Sequence, residues 1–283
     1  MPTKHFMMPD LQHVQSLVIA TARTELLPRL AHVSRQTKAD GSFVTEADLA
    51  MQERLTARLQ AQWPHIRLLG EEMSAAEQSR LLADRQPLWC LDPLDGTSNF
   101  AAGIPYFAVS LALIQQGRVV LGVVYDPLRD ECFAAADDTV VTLNGNPLQL
   151  ACADLALQQS TAIVDFKRLP ASLATRLATE PPYASQRSFG AVALDWCWLA
   201  AGRGHLYLHG KQNLWDYAAG HFIFQRTGGH ATTLTGEPVF TPALQARTAV
   251  AAVDSELFKA WHAWLQTTVE PDGAARQDSI TIR

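Results

Sequence analysis

Apolar residues recur at helical spacing near the start of the chain, at Leu11, Val14, Leu17, Val18 and Ala22. This predicts a helix from Asp10 to about Arg35, with Pro28 placed to kink or divide it. The following stretch, TKADGSFVTEADLAMQERLTARLQAQW, carries a turn at Asp40-Gly41-Ser42. Thr45 with Asp48 then has the spacing of a capping box that opens a second helix. There the period changes. HIRLLGEEMS predicts a short strand from Ile66 to Leu69 running into Glu71 and Glu72, and PLWCLD predicts a buried strand running into Asp92.

From Phe107 to Ala136 the pattern is that of successive strands joined at Gln116-Gly117 and Asp126-Pro127. An Asn144-Gly145 hairpin follows, so this block predicts an antiparallel sheet. Beyond it the order alternates: strand at STAIVDF, helix at PASLATRLA, helix at AVALDWCWLAAGRG, strand at HLYLHG. A last helix begins in LWDYAAG and stops at Gly228-Gly229. The chain therefore divides into an N-terminal α+β half, residues 1–150, and a C-terminal α/β half, residues 151–283. No Pro- or Ser-rich linker separates them around Ala151 to Gln159, which predicts halves packed as one unit. The polar tail EPDGAARQDSITIR is expected to fray.

Composition narrows the partners. The 283 residues are 48% hydrophobic, enough for a sizeable core, and 23 basic against 28 acidic residues leave a net charge of -5. Without a Lys- or Arg-rich run, a nucleic-acid polymer or an anionic membrane is a poor partner and a small molecule a better one. The N-terminal stretch has no uninterrupted apolar run, and LVIATA is too short to span a bilayer, so a cytoplasmic protein is expected. Cys90, Cys132, Cys152 and Cys197 form no CxxC pair and are expected to be reduced and buried.

The acids at the predicted element ends carry the chemistry: Glu71 and Glu72, then Asp92 and Asp95 in LDPLDGTSNF, and Asp216 at the start of a helix in the far half. Gathered in space they would repel one another unless a cation sat among them. Carboxylates with a backbone carbonyl suit Mg²⁺, whereas zinc would call for His and Cys at short spacings that this chain lacks. Gly96, Thr97 and Ser98 offer backbone N–H groups and small side chains for phosphate oxygens. DPLDGT nearly imitates the D-x-D-G-T motif of aspartyl-nucleophile phosphatases, but its acids stand three residues apart rather than two, which re-aims the second.

Taken together, GEE at 70–72, LDPLDGTSNF at 91–100 and WDYAAG at 215–220 resemble the three motifs of the inositol monophosphatase family of Mg²⁺-dependent phosphatases. KADGSFVTEAD at 38–48 resembles that family's N-terminal loop and the helix after it. The resemblance implies a layered αβαβα sandwich of the sugar-phosphatase type, a homodimer, and hydrolysis of a small phosphate monoester by two-metal activation of water. It implies that Glu71, Asp92 and the Leu94 carbonyl hold one Mg²⁺, that Asp92, Asp95 and Asp216 hold a second, and that Glu71 supports a third. Asp48 and Thr97, with Glu71, would activate the attacking water, although a capping role accounts equally well for Asp48. Lys38 would approach the site from the loop.

The likeness thins at the pocket for the alcohol. The inositol-specific members carry a glutamate six residues before the Trp of the W-D motif, and this chain has His209 there. The family's G-[ST]-A turn reads Gly190-Ala191-Val192, without the hydroxyl. His209 could bind a hydroxyl, a second phosphate or a base edge, or touch no substrate at all, and Lys211 adds a second anionic contact. A 3'(2'),5'-bisphosphate nucleotidase, a sugar-bisphosphate phosphatase and a non-catalytic phosphate-ligand binding protein therefore stay open beside an inositol-phosphate phosphatase.

Overall fold

Val14, Val18 and Ala22 form the buried face of α1 (Leu11–Glu25), whose first turn is capped by Asp10, Oδ1 accepting from His13 N at 2.7 Å. The helix is shorter than its apolar pattern predicts. It gives way to a 3₁₀ turn at Leu27–Arg29, because Pro28 disfavours α backbone at the residue before it. Arg35 lies not in this helix but in β1 (Arg35–Thr37), paired antiparallel with β2 (Phe43–Thr45). The computed structural model describes residues 7–30, 35–37 and 43–267; Lys38, the Asp40-Gly41-Ser42 turn and the polar tail lie outside the described residues.

The second helix, α2 (Glu46–Gln62), opens with the expected capping box, the Thr45 N–H and hydroxyl donating to Asp48 Oδ2 at 2.8 and 2.5 Å. Next come β3 (Arg67–Gly70), α3 (Ala75–Ala83), β4 (Leu88–Asp95), α4 (Thr97–Ala102), β5 (Ala108–Gln115), β6 (Arg118–Asp126), β7 (Glu131–Ala136), β8 (Thr142–Leu143) and β9 (Asn146–Pro147). These strands form a seven-stranded sheet in sequence order, parallel only between β3 and β4. Asn144 and Gly145, with φ of 51° and 77°, make the tight turn that their dipeptide predicts.

The second half supplies β10 (Thr161–Asp165), α5 (Ala171–Thr179), β11 (Ser185–Arg187), α6 (Val192–Ala200), β12 (Leu206–Gln212), α7 (Leu214–Arg226), β13 (His230–Thr232), β14 (Arg247–Ala252) and α8 (Ser255–Gln266). Its five-stranded sheet runs β11-β10-β12-β14-β13, with β10 parallel to both neighbours and β14 antiparallel to both of its own.

Helices α1 and α2 cover one face of the large sheet, and α6 and α7 fill the space between the two sheets. Helices α5 and α8 cover the outer face of the small sheet, where the Arg176 guanidinium stacks 4.1 Å from the centroid of the Trp264 ring. The layering is the expected αβαβα sandwich. With helices on both faces, all eight residues of β4 are buried, which is why its sequence reads as an unbroken apolar run up to Asp92.

Helix α7 belongs to the second half in sequence yet packs on β4, β5 and β6 of the first. This packing carries its N-terminus to the ends of those strands. Trp196 and Trp198 pack among aromatic neighbours. Cys90, Cys132 and Cys197 are buried free thiols, but Cys152, contrary to expectation, is exposed: it lies in the irregular segment between the two sheets. No helix among the described residues is long and apolar enough to cross a membrane.

Candidate active site

In an unbroken strand, residues three apart face opposite sides of the sheet. The β4–β5 register pairs Asp92 with Ser110 and Asp95 with Ala108, so three steps on β4 oppose two on β5. One bulged residue between the two aspartates brings both side chains to the same cavity. Asp92 Oδ1 accepts from Leu94 N at 3.0 Å, which folds the bulge back on itself.

Gly96 turns the chain out of the strand with φ of +90°, a backbone that favours glycine; a Cβ there would stand 3.0 Å from the Tyr106 carbonyl oxygen. Thr97 begins α4 directly after this turn, and its hydroxyl lies 2.9 Å from Asp48 Oδ1 and 3.0 Å from the Leu94 carbonyl oxygen. Asp48 therefore caps α2 with one oxygen and meets Thr97 with the other, so both roles weighed from sequence are compatible.

Two more elements close the cavity. Glu71 follows β3, where its N–H donates to Leu91 O at 3.1 Å, and Gln78 Nε2 donates to the Gly70 carbonyl at 2.9 Å. Asp216 is the third residue of α7, its Oδ2 accepting from Asn213 N at 2.7 Å. From the other half, Val192 N and Ala193 N at the start of α6 donate to Asp95 Oδ1 and Oδ2 at 3.1 and 2.6 Å. Asp95 thus caps a helix that it does not belong to, and ties the two halves together at the site.

The cavity has a volume of about 420 Å³, and Glu71, Asp92, Leu94, Asp95, Gly96, Thr97, Gly190, Val192, His209 and Asp216 all line it. Three expected residues do not. Asp48 is buried behind Thr97, Ala191 is buried beneath Gly96, and Ser98 is exposed outside the lining.

Burial, with the charges of Glu71, Asp95 and Asp216 added to it, pushes Asp92 well above the usual carboxylate range; the Leu94 amide opposes this only in part. Burial and the Asp216 charge raise Asp95 in the same way against the two α6 amides. For Asp216, burial and Glu71 outweigh the Asn213 amide and Arg168 and push it up to about 7. Burial likewise raises Asp48, despite the Thr45 and Thr97 hydrogen bonds. Among the described residues no three His, Cys, Asp or Glu side chains are grouped closely enough to hold an ion as they stand. Their chemistry nonetheless fits a hard divalent cation: every donor is oxygen, and Asp92 and Asp95 are buried with the charges of neighbouring acids acting on them.

His209 is 4% exposed, and both its ring nitrogens are engaged within the protein. Nε2 lies 3.0 Å from Asp165 Oδ2, and Nδ1 accepts from Lys211 N at 3.2 Å, which assigns the proton to Nε2. Burial pulls Asp165 upward, but the His209 hydrogen bond and the Lys167 amide together hold it below its ordinary value.

Two lining residues, and a buried residue that braces the site, escape a reading of the sequence. Asp165 and Arg168 both face the cavity, and an acid at the end of STAIVDF is the same signal that marked Asp92. Asn99 donates to Tyr106 O at 2.8 Å and Phe189 O at 2.7 Å, pinning α4 to the segment before Gly190.

Two helix-layered sheets with carboxylates and a hydroxyl–carboxylate couple at the strand ends define a fold of the sugar-phosphatase class. The chain belongs to the inositol monophosphatase family, whose sequence profile it matches over residues 10–270. It is 33% identical over 257 residues to the Nus factor SuhB of Pseudomonas aeruginosa, covering 87% of this chain and 89% of that one. Identity to inositol monophosphatase 1 of Solanum lycopersicum is 36% over 204 residues, or 70% of this chain and 74% of the relative. A solved IMPase/NADP phosphatase complexed with NADP and Ca²⁺ shares the fold, with a TM-score of 0.80 at 22% identity over 94% of this chain and 98% of that one.

Proposed function

We propose that the chain is a Mg²⁺-dependent hydrolase of a small phosphate monoester. The observation that carries this is the meeting, in one cavity, of Glu71, Asp92, Asp95 and Asp216 with a Thr97 hydroxyl backed by Asp48. Glu71, Asp92, the Leu94 carbonyl, Asp95 and Asp216 would hold the ions, two and with Glu71 a third. Bound there, Mg²⁺ would supply positive charge against the phosphoryl oxygens and acidify a water.

The chain's own groups do the rest. With its hydroxyl proton directed at Asp48, Thr97 offers an oxygen lone pair to a water in the cavity and relays one water proton to Asp48, whose raised affinity for protons suits it to the task. The water oxygen forms a bond to phosphorus as the ester P–O bond breaks, and the departing alcohol takes up a proton. Gly96 and Thr97 border the phosphate's place. Relatives named inositol monophosphatase support this activity, and the reading includes a cytoplasmic homodimer, for which light scattering tests the mass.

The test is phosphate release from inositol phosphates, 3'-phosphoadenosine 5'-phosphate and fructose 1,6-bisphosphate, with and without Mg²⁺. Asp92→Asn is expected to abolish release while the circular dichroism spectrum stays native; unchanged turnover would sink the assignment. A second reading, a binding protein without turnover, is favoured by the relatives named Nus factor, and absence of release from every ester would select it.

A further inference from the structure

On the side built by β10 and β12 the cavity carries two cations. Arg168 and Lys211 line it, both are exposed, and among the described residues neither reaches a carboxylate within ion-pair distance. Asp165, the acid beside them, is already occupied: Oδ2 meets His209 Nε2 at 3.0 Å and Oδ1 accepts from Lys167 N at 3.0 Å. Asp195, the other acid on this side, is buried, bonded to the Tyr106 hydroxyl at 3.0 Å, and shifted by burial well toward its neutral form. Once the acid cluster is neutralised, positive charge is left in excess on this side.

The two cations are placed by construction. β10 and β12 run parallel with Asp165 in register with His209, and the β12–β14 register slips between His209 and Gln212, so a bulge lies at Gly210 and Lys211. A Cβ on residue 210 would stand 1.9 Å from the Arg168 carbonyl oxygen, so only glycine lets the turn at Phe166–Arg168 settle on the bulge and bring Arg168 beside Lys211. His209 completes the frame by accepting from Lys211 N while it donates to Asp165. With both nitrogens so engaged, it is a strut for this corner rather than a reader of substrate hydroxyls.

The geometry points to a second anion subsite at Arg168 and Lys211: the substrate's alcohol carries its own phosphate or carboxylate in addition to the phosphate removed. This rests on the hydrolase reading, deepens it, and makes a neutral polyol phosphate the poorer substrate. A guanidinium and an ammonium flanking one anion supply the charge-assisted hydrogen bonds that discriminate against an uncharged analogue.

Three esters on one ring test it: glucose 1-phosphate, glucuronate 1-phosphate and glucose 1,6-bisphosphate, with release from the anomeric carbon followed in Mg²⁺. Both anionic esters are expected to exceed glucose 1-phosphate in kcat/KM by at least about ten-fold, and the pair separates a carboxylate from a phosphate as the second group. In the Arg168→Gln/Lys211→Gln double variant that ratio should fall toward one. Equal kcat/KM for all three in the wild type, or a ratio retained in the double variant, overturns the subsite. If none releases phosphate, release from the inositol phosphates, 3'-phosphoadenosine 5'-phosphate and fructose 1,6-bisphosphate decides the hydrolase reading separately, and calorimetric titration of the same three esters decides the subsite. Tighter binding of the anionic pair, lost in the double variant, supports it, and equal affinity overturns it.

Discussion

Asp216→Asn should stabilise this protein when it is free of divalent ions. In the fold Asp216 holds its proton up to about 7, against 3.8 for an ordinary aspartate, because burial and Glu71 disfavour its charge. The folded chain then binds more protons than the unfolded chain between those values, so the contribution is greatest below pH 4 and is lost as pH rises through 7. Three units at about 1.36 kcal/mol each give a penalty of about 4 kcal/mol at pH 8. Because Asp216 is only half-buried and water screens part of the repulsion, about 2–4 kcal/mol is the working figure.

Asparagine keeps the shape and an acceptor for Asn213 N without the charge. At pH 8 in EDTA the variant should melt roughly 4–8 °C above wild type, and the gap should close toward pH 4. The comparison must be between proteins at each pH, since His221, buried and pulled down to about 3, titrates with the opposite sign and masks the trend in wild type alone. Mg²⁺ should narrow or reverse the gap by stabilising wild type more than the variant, which keeps Glu71, Asp92 and the Leu94 carbonyl but loses a ligand of the second ion. Scanning calorimetry measures all of this; an ion-free variant no more stable than wild type at pH 8, or a gap that does not depend on pH, would refute the repulsion among the acids that calls for a metal.

Other outcomes follow from single contacts. Thr97→Val keeps the shape of α4's first residue but removes the hydroxyl between the cavity and Asp48, so kcat should fall about 100-fold with KM nearly unchanged in steady-state assays. Gly210→Ala must lift the Phe166–Arg168 turn and should cost about 1–3 kcal/mol in a denaturant titration, more if the turn cannot yield.

How far the site could be read from sequence depends on how local each contact is. Thr45 and Asp48 lie one helical turn apart, so their capping box was legible, as were the Asn144-Gly145 hairpin and the buried run of β4. The edges of elements were not: α1 stops ten residues early because Pro28 acts through the backbone of its neighbour, which an apolar pattern does not register. Short β11 and β13 carry too few residues to show a period, and nine-residue α3 signals itself chiefly by the Ser74–Glu77 capping box at its start.

In the site itself, motif spacing located the acids but not the reason for the spacing. The three-residue gap between Asp92 and Asp95 acquires meaning only when β5 is laid beside β4 and the bulge is seen to return both carboxylates to one side. His209 shows the same limit more strongly. As a lone histidine where inositol-specific relatives have a glutamate, it read as a change of ligand, but its partner is Asp165, in register on a parallel strand distant in sequence. A substitution in a binding wall acts through whatever the new side chain grips. Here the imidazole grips the wall itself, and Arg168 and Lys211 are left to face what enters the cavity.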